Sequence, residues 1–260
     1  MEEEVLRGGF VNKVVRVGDT VRRSPGDCTP TIHRLLTHVR ERGVTWVPEP
    51  LGYDDLGREI LSFIPGTVAH EMPDWVWSDV VLTDIARSLR QWHDATAAFD
   101  VSGSTWGLEA RDPPEVICHN DFAPYNCVFR DGRLLGVIDF DVCAPGPRIW
   151  DIAYTAYRFV SLMPFPNASG SPDIGERSPF GLTETLARLD TFLGAYCALG
   201  APLRFAPSEV IASTIDRLRA LAAWTTEHAR TNAVAALASH GEMYLAHAQW
   251  LSTQFRASEQ

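Results

Sequence analysis

The hydrophobic and polar positions of the chain follow different periods in its two parts. Over about the first 60 residues, short β-rich runs alternate with turn signals, and Gly18-Asp19 between two runs is typical of a β-hairpin. One helical segment interrupts these runs. Thr29 and Pro30 mark its start, Gly43 marks its end, and its apolar residues recur at helical spacing. This part is therefore predicted to be a small β-sheet with one helix.

After Pro65-Gly66, a candidate hinge, the pattern becomes helical. The predicted helices span 79–99 and roughly 150–162, 182–199 and 207–256. Two strands interrupt them, at 116–118 and 127–138. The loop 164–181 is rich in Pro, Gly and Ser and is too long for a plain connector, which predicts a mobile lid or a binding loop.

One predicted hairpin carries unexpectedly many polar residues. The stretch ICHNDFAPYNCVFRDGRLLGVIDFD, residues 117–141, is mostly apolar. It nevertheless contains His119, Asp121, Asn126, Asp139 and Asp141. A buried polar group is costly unless it has a partner, so these residues indicate a site.

The turn of this hairpin predicts which of its side chains share a face. Asp131-Gly132 is a two-residue turn signal. Counting outward from it pairs Phe129 with Leu134, Val128 with Leu135 and Asn126 with Val137. Asp139 lies two residues beyond Val137, on the face of Asn126. An amide oxygen and a carboxylate that share one cation, with water completing the shell, are typical of Mg²⁺.

Asp121 occupies a different position, in the loop FAPY that follows strand 116–118 and is stiffened by Pro124. A carboxylate there, near a metal that carries phosphates, can accept a hydroxyl proton. His119 just before it is predicted to fix backbone carbonyls. Taken alone, such an Asp indicates an Asx-turn and such a His a core residue. The full arrangement, with Asn126 and the Ile-Asp-Phe at the end of the next strand, indicates a catalytic site.

Other chemistries fit the sequence less well. Cys118, His119 and Cys127 lack a CxxC pair, which argues against zinc, and no GxSxG elbow indicates a hydrolase. The five cysteines, an odd number in mostly apolar surroundings, indicate reduced thiols in the cytoplasm.

Charge and hydropathy narrow the possible partners. A formal net charge of −10 disfavours nucleic acid and anionic membranes, and it would attract a cationic small substrate or serve only solubility. No apolar run reaches the ~18–20 residues of a membrane span, and the acidic start MEEEVLRGGF is unlike a leader. The protein is expected to be a cytoplasmic monomer.

The polar hairpin resembles the catalytic core of the aminoglycoside phosphotransferase family, relatives of protein kinases and choline kinases. The family pattern, His-Gly-Asp, four residues, Asn, then Ile-Asp and a later Gly and Asp, reads here His119-Asn120-Asp121, Asn126, Ile138-Asp139, Gly146 and Asp151. Asn replaces the usual Gly at position 120, as in choline-kinase-like members. By this resemblance Asp121 is the catalytic base and Asn126 and Asp139 hold Mg²⁺. His119 and Asp151 would be structural supports of the catalytic loop.

The resemblance also implies an α+β, two-lobed protein-kinase-like fold. Residues 1–64 would form the N-lobe, a small antiparallel nucleotide-binding sheet with one helix. Residues 65–260 would form the larger, mostly helical C-lobe, with the catalytic loop and the acceptor site. Gly8 and Gly9 would belong to the hairpin over the nucleotide. The backbone of Ser62, Phe63 and Ile64 would meet the nucleotide base.

Two positions depart from the family pattern. The phosphate-binding Lys is absent, and Arg22 or Arg23 stands in its place. Strand alternation directs only one of them inward, and Arg22 is favoured. The helix that normally supplies a partner Glu has His33 near that position. Arginine can chelate phosphate, but its planar fork is not equivalent to an ammonium.

The implied activity is an O-phosphotransferase. It would move the γ-phosphoryl of ATP or GTP, with Mg²⁺, to a hydroxyl of a cationic, aminoglycoside-like acceptor or basic peptide antibiotic, and so confer antibiotic resistance. One alternative keeps the fold with a metabolite acceptor, as in choline or homoserine kinases. Another, motivated by Arg22 and His33, is a nucleotide-binding protein without transfer activity.

Overall fold

The computed structural model describes residues 3–6, 14–70, 72–163, 180–232 and 235–256. The chain forms two compact units. The first contains Met1–Val68 and Ser88–Arg148, and the second contains Ala69–Arg87 and Ile149–Gln260. The boundary between residues 64 and 65 expected from the family stays a prediction. Gly8, Gly9 and loop residues 164–179 lie outside the described residues.

The first unit begins with an antiparallel five-stranded sheet in the order β1-β2-β3-β5-β4. The strands are β1 (Glu4–Val5), β2 (Val15–Val17), β3 (Thr20–Arg23), β4 (Pro50–Tyr53) and β5 (Glu59–Ser62). Val17 pairs with Thr20 across the turn at Gly18, whose φ of 61° suits glycine, so the predicted hairpin is confirmed. This sheet brings Arg23 opposite Glu59, which matters for the site below.

Helix α1 (Thr29–Glu41) follows β3, as predicted. Its start differs in detail, because the Thr29 hydroxyl accepts the Gly26 N–H at 2.9 Å and Cys28 is the capping position. Leu35, Leu36 and Val39 form its buried face. Burial of such an aliphatic side chain contributes roughly 1.5–3 kcal/mol, which explains why this face stays packed.

The rest of the first unit consists of short strands around the polar hairpin. These are β6 (Thr67–Val68), β7 (Val116–Cys118), β8 (Cys127–Arg130), β9 (Arg133–Val137) and β10 (Ala144–Gly146). β6 pairs with β8, β8 with β9, and β7 with β10, all antiparallel. Helix α2 (Asp79–Thr96) contributes residues to both units.

The predicted register of the β8–β9 hairpin is correct only near its turn. Phe129 pairs with Leu134 as expected. The register then shifts by one residue, so that Val128 pairs with Gly136 and Cys127, rather than Asn126, pairs with Val137. A β-bulge at Leu135 absorbs the extra residue, which the sequence count did not include. Asn126 instead ends a 3₁₀ turn, Pro124–Asn126.

The second unit is helical. After α3 (Arg148–Ala156) come a π-helical turn (Tyr157–Ser161) and the helices α4 (Leu182–Cys197), α5 (Pro207–Asn232) and α6 (Ala235–Arg256). The helical stretch predicted at 207–256 is therefore two helices. Within the described residues, no helix combines the length and apolar character needed to cross a membrane.

Candidate active site

The Asp121 carboxylate is held by its own loop. The Tyr125 hydroxyl donates to Oδ1 at 2.6 Å, and Asn126 Nδ2 donates to Oδ2 at 2.8 Å. Asn126 Nδ2 also donates to the Asp121 backbone carbonyl at 2.9 Å. Hydrogen bonds to an ionised acceptor are strong, so the orientation of this carboxylate is well fixed.

The residues before Asp121 set the shape of the loop. Asn120 has a φ of +65°, in the left-handed region that glycine and asparagine adopt most readily. The substitution of Asn for the family's Gly is therefore compatible with the backbone. The Asn120 side chain adds a bond, because Nδ2 donates to the carbonyl of Val142 at 3.0 Å.

His119 is fully buried and packs its ring 4.8 Å from Phe140 and 5.5 Å from Phe122, between ring centroids. Its Nδ1 accepts the backbone N–H of Asp121 at 3.3 Å. The imidazole thus holds a backbone N–H of the loop. This contact supports the structural role expected for His119. The contact of His119 with backbone carbonyls stays a prediction.

Asn126 and Asp139 remain neighbours despite the bulge. The Ile138 N–H donates to the Asn126 carbonyl at 2.9 Å, and Asp139 follows directly. Asp139 has a φ of +66°, which breaks the strand and turns the chain. Within the described residues, the hydrogen bonds of the Asn126 side chain both use Nδ2, which leaves Oδ1 as an available ligand atom.

The electrostatics around Asp139 favour a cation. Burial and the neighbouring Asp141 carboxylate raise the pKa of Asp139, and Arg23 only partly opposes them. Loss of hydration and the like charge of Asp141 both disfavour the ionised carboxylate of Asp139, and a cation bound beside it would offset them. The described residues contain no cluster of three or more His, Cys, Asp or Glu side chains that could hold a metal. An Asn–Asp pair completed by phosphates and water fits Mg²⁺ better than a closed protein cage does.

Arg23, rather than Arg22, reaches these carboxylates. Its Nη1 and Nη2 donate to the two oxygens of Asp141 at 2.8 and 2.5 Å, and Nη1 lies 3.7 Å from Asp139. Successive strand residues point to opposite faces, so Arg22 is directed away from this cluster and its Nε is buried with no hydrogen-bond partner. The preference for Arg22 as the inward residue is therefore corrected to Arg23.

Glu59 is the second partner of Arg23. Its Oε1 accepts from Arg23 Nε at 2.5 Å, and its Oε2 lies 3.0 Å from His33 Nε2. A carboxylate from β5 thus takes the place expected for a helix Glu, and His33 contacts that carboxylate. Burial alone would lower the pKa of Arg23, but Asp141 and Glu59 outweigh it and shift the pKa upward, so the guanidinium stays charged.

The turn that carries Asp139 and Asp141 is packed tightly from behind. The Cys28 thiol donates to the Asp141 carbonyl at 3.5 Å. A Cβ on Gly107 would overlap the same carbonyl, so only glycine fits there. All five cysteines are free thiols.

The remaining predicted residues are placed as follows. The N–H of Ser62 donates to Glu49 O at 2.9 Å and that of Phe63 to Asp19 O at 2.8 Å, so both are already used within the first unit. Contacts of Ser62, Phe63 and Ile64 with a nucleotide base stay predictions. Asp151 is fully buried in the first turn of α3, where a carboxylate favours the helix N-terminus.

Sequence reasoning missed Tyr125 and Glu59 as members of the site, and it noted Asp141 on the hairpin without giving it a role. Asp141 had a usable signal, since it is polar and follows Asp139 on the same buried hairpin. Glu59 gave none, because its role depends on the pairing of β3 with β5, which brings it opposite Arg23.

Residues 103–169, which include the whole loop and the turn, match the model of APH, the phosphotransferase enzyme family. The predicted family resemblance is confirmed. The trifolitoxin immunity protein of Rhizobium leguminosarum bv. trifolii is 37% identical over 153 residues, which are 56% of this chain and 58% of that protein. The chain thus spans little more than half the length of this curated relative.

Solved structures extend the similarity to nearly the whole fold. A choline/ethanolamine kinase family protein from Mesorhizobium loti aligns with a TM-score of 0.64 and 16% identity, over 96% of this chain and 88% of that chain. The macrolide 2′-phosphotransferase MphH from Brachybacterium faecium gives 0.60 and 16%, over 95% and 91%. The gentamicin complex of APH(2″)-IIa gives 0.60 and 15%, over 94% and 90%. The expected α+β, kinase-like fold is confirmed.

Proposed function

We propose that the chain is a small-molecule phosphotransferase, which moves the γ-phosphoryl group of ATP or GTP to a hydroxyl group of a cationic acceptor. The observation that carries this proposal is the arrangement of Asp121, Asn126 and Asp139. The loop from Asp121 to Asn126 holds the Asp121 carboxylate in one orientation. The Asn126 carbonyl accepts the Ile138 N–H, so the Asn126 amide and the Asp139 carboxylate belong to neighbouring parts of the backbone. Phosphoryl transfer depends mainly on such positioning and on charge stabilisation.

Asp121 is assigned as the base that accepts the hydroxyl proton. Tyr125 and Asn126 each donate to one of its oxygens, so the carboxylate keeps one orientation. The same two contacts hold the carboxylate in place for proton transfer. His119 accepts the Asp121 backbone N–H and so supports the shape of the loop.

Asn126 Oδ1 and Asp139 are the groups that would hold Mg²⁺. When bound, the ion supplies positive charge to the phosphate oxygens. The raised pKa of Asp139 and the free Oδ1 of Asn126 support this assignment. Arg23 lies 3.7 Å from Asp139 and offers a fixed cation to a phosphate brought there.

The acceptor class is proposed from charge and from the names of similar proteins. The net charge of −10 favours a cationic molecule. The curated relative is named for immunity to trifolitoxin, and two structures of the same fold are named for gentamicin and for macrolide phosphorylation. These names support an antibiotic-like or toxin-like acceptor, with resistance as the biological outcome.

A nucleotide-binding protein without transfer activity is the second candidate. Arg23 favours it, because two carboxylates already bind the guanidinium and a third lies near it. A phosphate that binds Arg23 in bidentate fashion must displace one of the two bound carboxylates. If none yields, the nucleotide would bind without the geometry that transfer requires.

The first experiment is thermal unfolding with Mg²⁺-ATP or Mg²⁺-GTP for the wild type and Asp139→Ala. A ligand at ~100 times its dissociation constant adds about 2.7 kcal/mol of stability. We expect the wild type to be stabilised and Asp139→Ala not to be. Asp216→Ala, which removes an exposed carboxylate of α5, is the matched control and should respond like the wild type.

Acceptor assays then separate the two candidates. Phosphate transfer is measured to a panel of aminoglycosides, basic peptides, choline and homoserine. Transfer that requires Asp121 supports the phosphotransferase, and a metabolite as the best acceptor would replace the antibiotic-like class. Nucleotide binding without transfer to any acceptor favours the second candidate. No response of the wild type to either nucleotide rejects both.

A further inference from the structure

We propose that Asp141 is an exchangeable internal occupant of the phosphate-binding face of Arg23, whereas Glu59 is the permanent anchor of the same guanidinium. This inference rests on the proposed function, because it assumes that phosphates reach the cluster. It assigns opposite roles to two carboxylates that both form ion pairs with Arg23.

The two carboxylates engage different edges of the guanidinium. Glu59 accepts from Nε, the donor closest to the strand. Asp141 accepts from Nη1 and Nη2 in a bidentate pair at the outer end of the side chain. This outer pair of donors is the one that a phosphate would also bind in bidentate fashion. Asp141 therefore occupies the phosphate's place on Arg23.

Burial separates the two partners further. The Glu59 side chain is 1% exposed, and it also contacts His33. The Asp141 side chain is 36% exposed, and the Arg23 side chain between them is 13% exposed. Breaking the inner pair would leave a buried charge without compensation, which is costly. An Asp141 carboxylate that turns outward is solvated again, so the outer pair is much easier to exchange.

The backbone allows this exchange without a loop movement. The Asp141 carbonyl is fixed by the Cys28 thiol and by the close approach of Gly107. The Asp141 side chain, in contrast, needs only a rotation about its own bonds to leave Arg23. The exchange would thus replace one bidentate anion with another at a fixed site.

The charge around Arg23 determines how tightly a free polyphosphate can bind there. Arg23 faces Glu59, Asp139 and Asp141, so carboxylates outnumber the guanidinium in this cluster. A free polyphosphate must compete with Asp141 and is repelled by Asp139. We therefore expect free polyphosphate to bind weakly and Asp141 to lower its affinity. Asp139, 3.7 Å from Arg23 Nη1, lies where a phosphate held by Arg23 would be near a metal ligand.

The test measures binding of inorganic tripolyphosphate to the full chain by calorimetry in EDTA, so that no divalent ion takes part. Asp141→Asn and Glu59→Gln each remove one negative charge next to Arg23. A general charge effect would raise affinity in both variants. The proposal predicts opposite signs, with binding on the order of tenfold tighter for Asp141→Asn and several-fold weaker for Glu59→Gln.

Two further variants link the effect to Arg23. Glu227→Gln removes a carboxylate from another bidentate Arg–carboxylate pair, outside the site, and should bind like the wild type. In an Arg23→Ala background, Asp141→Asn should no longer tighten binding. Equal or weaker binding by Asp141→Asn overturns the proposal, and so does a gain that persists without Arg23.

The proposal remains testable if Asp141→Asn does not fold. Asp141→Ser provides a second variant with the same expected sign. Crystals of the wild type soaked with tripolyphosphate should show phosphate oxygens on Nη1 and Nη2, Asp141 rotated away and Glu59 still on Nε. Phosphate bound elsewhere, with the Arg23–Asp141 pair intact, would overturn the exchange.

The outcome is separable from that of the proposed function. The metal-free binding series does not depend on transfer, on an acceptor or on Mg²⁺. Exchange at Arg23 without transfer activity would reject the phosphotransferase and leave the exchange standing. Transfer activity would support the phosphotransferase. If Asp141→Asn and Glu59→Gln then failed to change tripolyphosphate affinity in opposite directions, only the exchange would be rejected.

Discussion

Two polar clusters, one in each unit of the chain, are built in opposite ways. In the first unit, Arg23 keeps its charge among Asp139, Asp141 and Glu59, and the outer carboxylates remain partly exposed. In the second unit, Tyr157 and His247 lie buried, with the Tyr157 hydroxyl 2.8 Å from His247 Nδ1. Burial raises the pKa of Tyr157, and burial with Arg158 lowers the pKa of His247 to about 4, so that both stay neutral at pH 7.

This difference indicates which cluster is built for ligands. Burying a charge costs several kcal/mol, and the second unit avoids that cost by keeping its pair neutral and hydrogen-bonded. The first unit keeps three carboxylates around one guanidinium, two of them at partly exposed positions, so the cluster retains a net negative charge that an incoming cation would offset. A functional cluster and a structural one should therefore respond differently to the same substitutions.

The largest expected effect comes from Asp121→Asn. The variant keeps the size of the side chain but removes the proton acceptor, so phosphate transfer should fall by roughly 10²–10⁴-fold. Because Asp121 is only half-buried, the free energy of unfolding should change by less than about 1 kcal/mol. Radiolabelled phosphate transfer and urea unfolding measure the two quantities. A variant that keeps wild-type transfer would show that Asp121 is not the base.

The next effect belongs to His247 and depends on pH. An unfolded histidine has a pKa of about 6.5, whereas folded His247 has a pKa of about 4. Between these values the unfolded state binds a proton that the folded state does not. The contribution of neutral His247 to the free energy of unfolding is thus fully present above about pH 6.5. It is lost as the pH falls toward 4, and this loss is about 3 kcal/mol at most.

Urea unfolding from pH 4 to 8 checks this loss. His247→Gln can still accept the Tyr157 hydroxyl but cannot titrate, so its stability should fall less steeply in that interval. His228→Gln changes an exposed histidine of α5 and serves as the control. Identical pH profiles for the wild type and His247→Gln would mean that protonation of His247 does not cause the loss of stability at low pH.

A smaller loss of stability is expected from Gly107→Ala. This variant tests how tightly residue 107 packs against the turn that carries Asp141. The added Cβ would overlap the Asp141 carbonyl, and overpacking of this kind costs about 1–3 kcal/mol. Gly26→Ala, where a Cβ meets nothing within 4 Å, is the matched control and should change stability little. Urea unfolding compares the two. Equal stabilities would show that the turn can shift away from residue 107.

The features predicted from sequence are those encoded by local patterns. The hairpin at Gly18, helix α1 and the Asp121-to-Asp139 motif follow from turn signals, periodicity and spacing within short segments. The family match over 103–169 covers that same motif. Local patterns therefore gave the elements and the central residues of the candidate site.

The errors arose where the answer depends on contacts between segments. The bulge at Leu135 shifts the register by one residue, and no turn signal reveals it. The choice between Arg22 and Arg23 depends on how β3 pairs with β5 and on which face meets Asp141. Because successive strand residues point to opposite faces, only one of the two arginines can point inward. Which one does so depends on contacts with other segments.

The finest comparison applies one chemical change to both units. Tyr125→Phe removes the donor to Asp121 Oδ1, and Tyr157→Phe removes the hydroxyl that lies 2.8 Å from His247 Nδ1. Tyr125 is partly exposed, so water can replace its hydroxyl, whereas the Tyr157–His247 contact is buried away from bulk water. We expect Tyr157→Phe to lose about 1–2 kcal/mol of stability, as for a broken buried hydrogen bond. Tyr125→Phe should lose less than about 0.5 kcal/mol.

The activities of the two variants should show the reverse order. Loss of one orienting hydrogen bond on Asp121 should lower the transfer rate constant by roughly tenfold. Tyr157→Phe, measured well below its melting temperature, should retain most of its transfer activity. Rate constants and urea unfolding, measured on the same preparations, give the transfer activity and the stability of each variant. If Tyr125→Phe loses stability and not rate, the loop hydrogen bonds are structural, and the contrast between the two units does not hold.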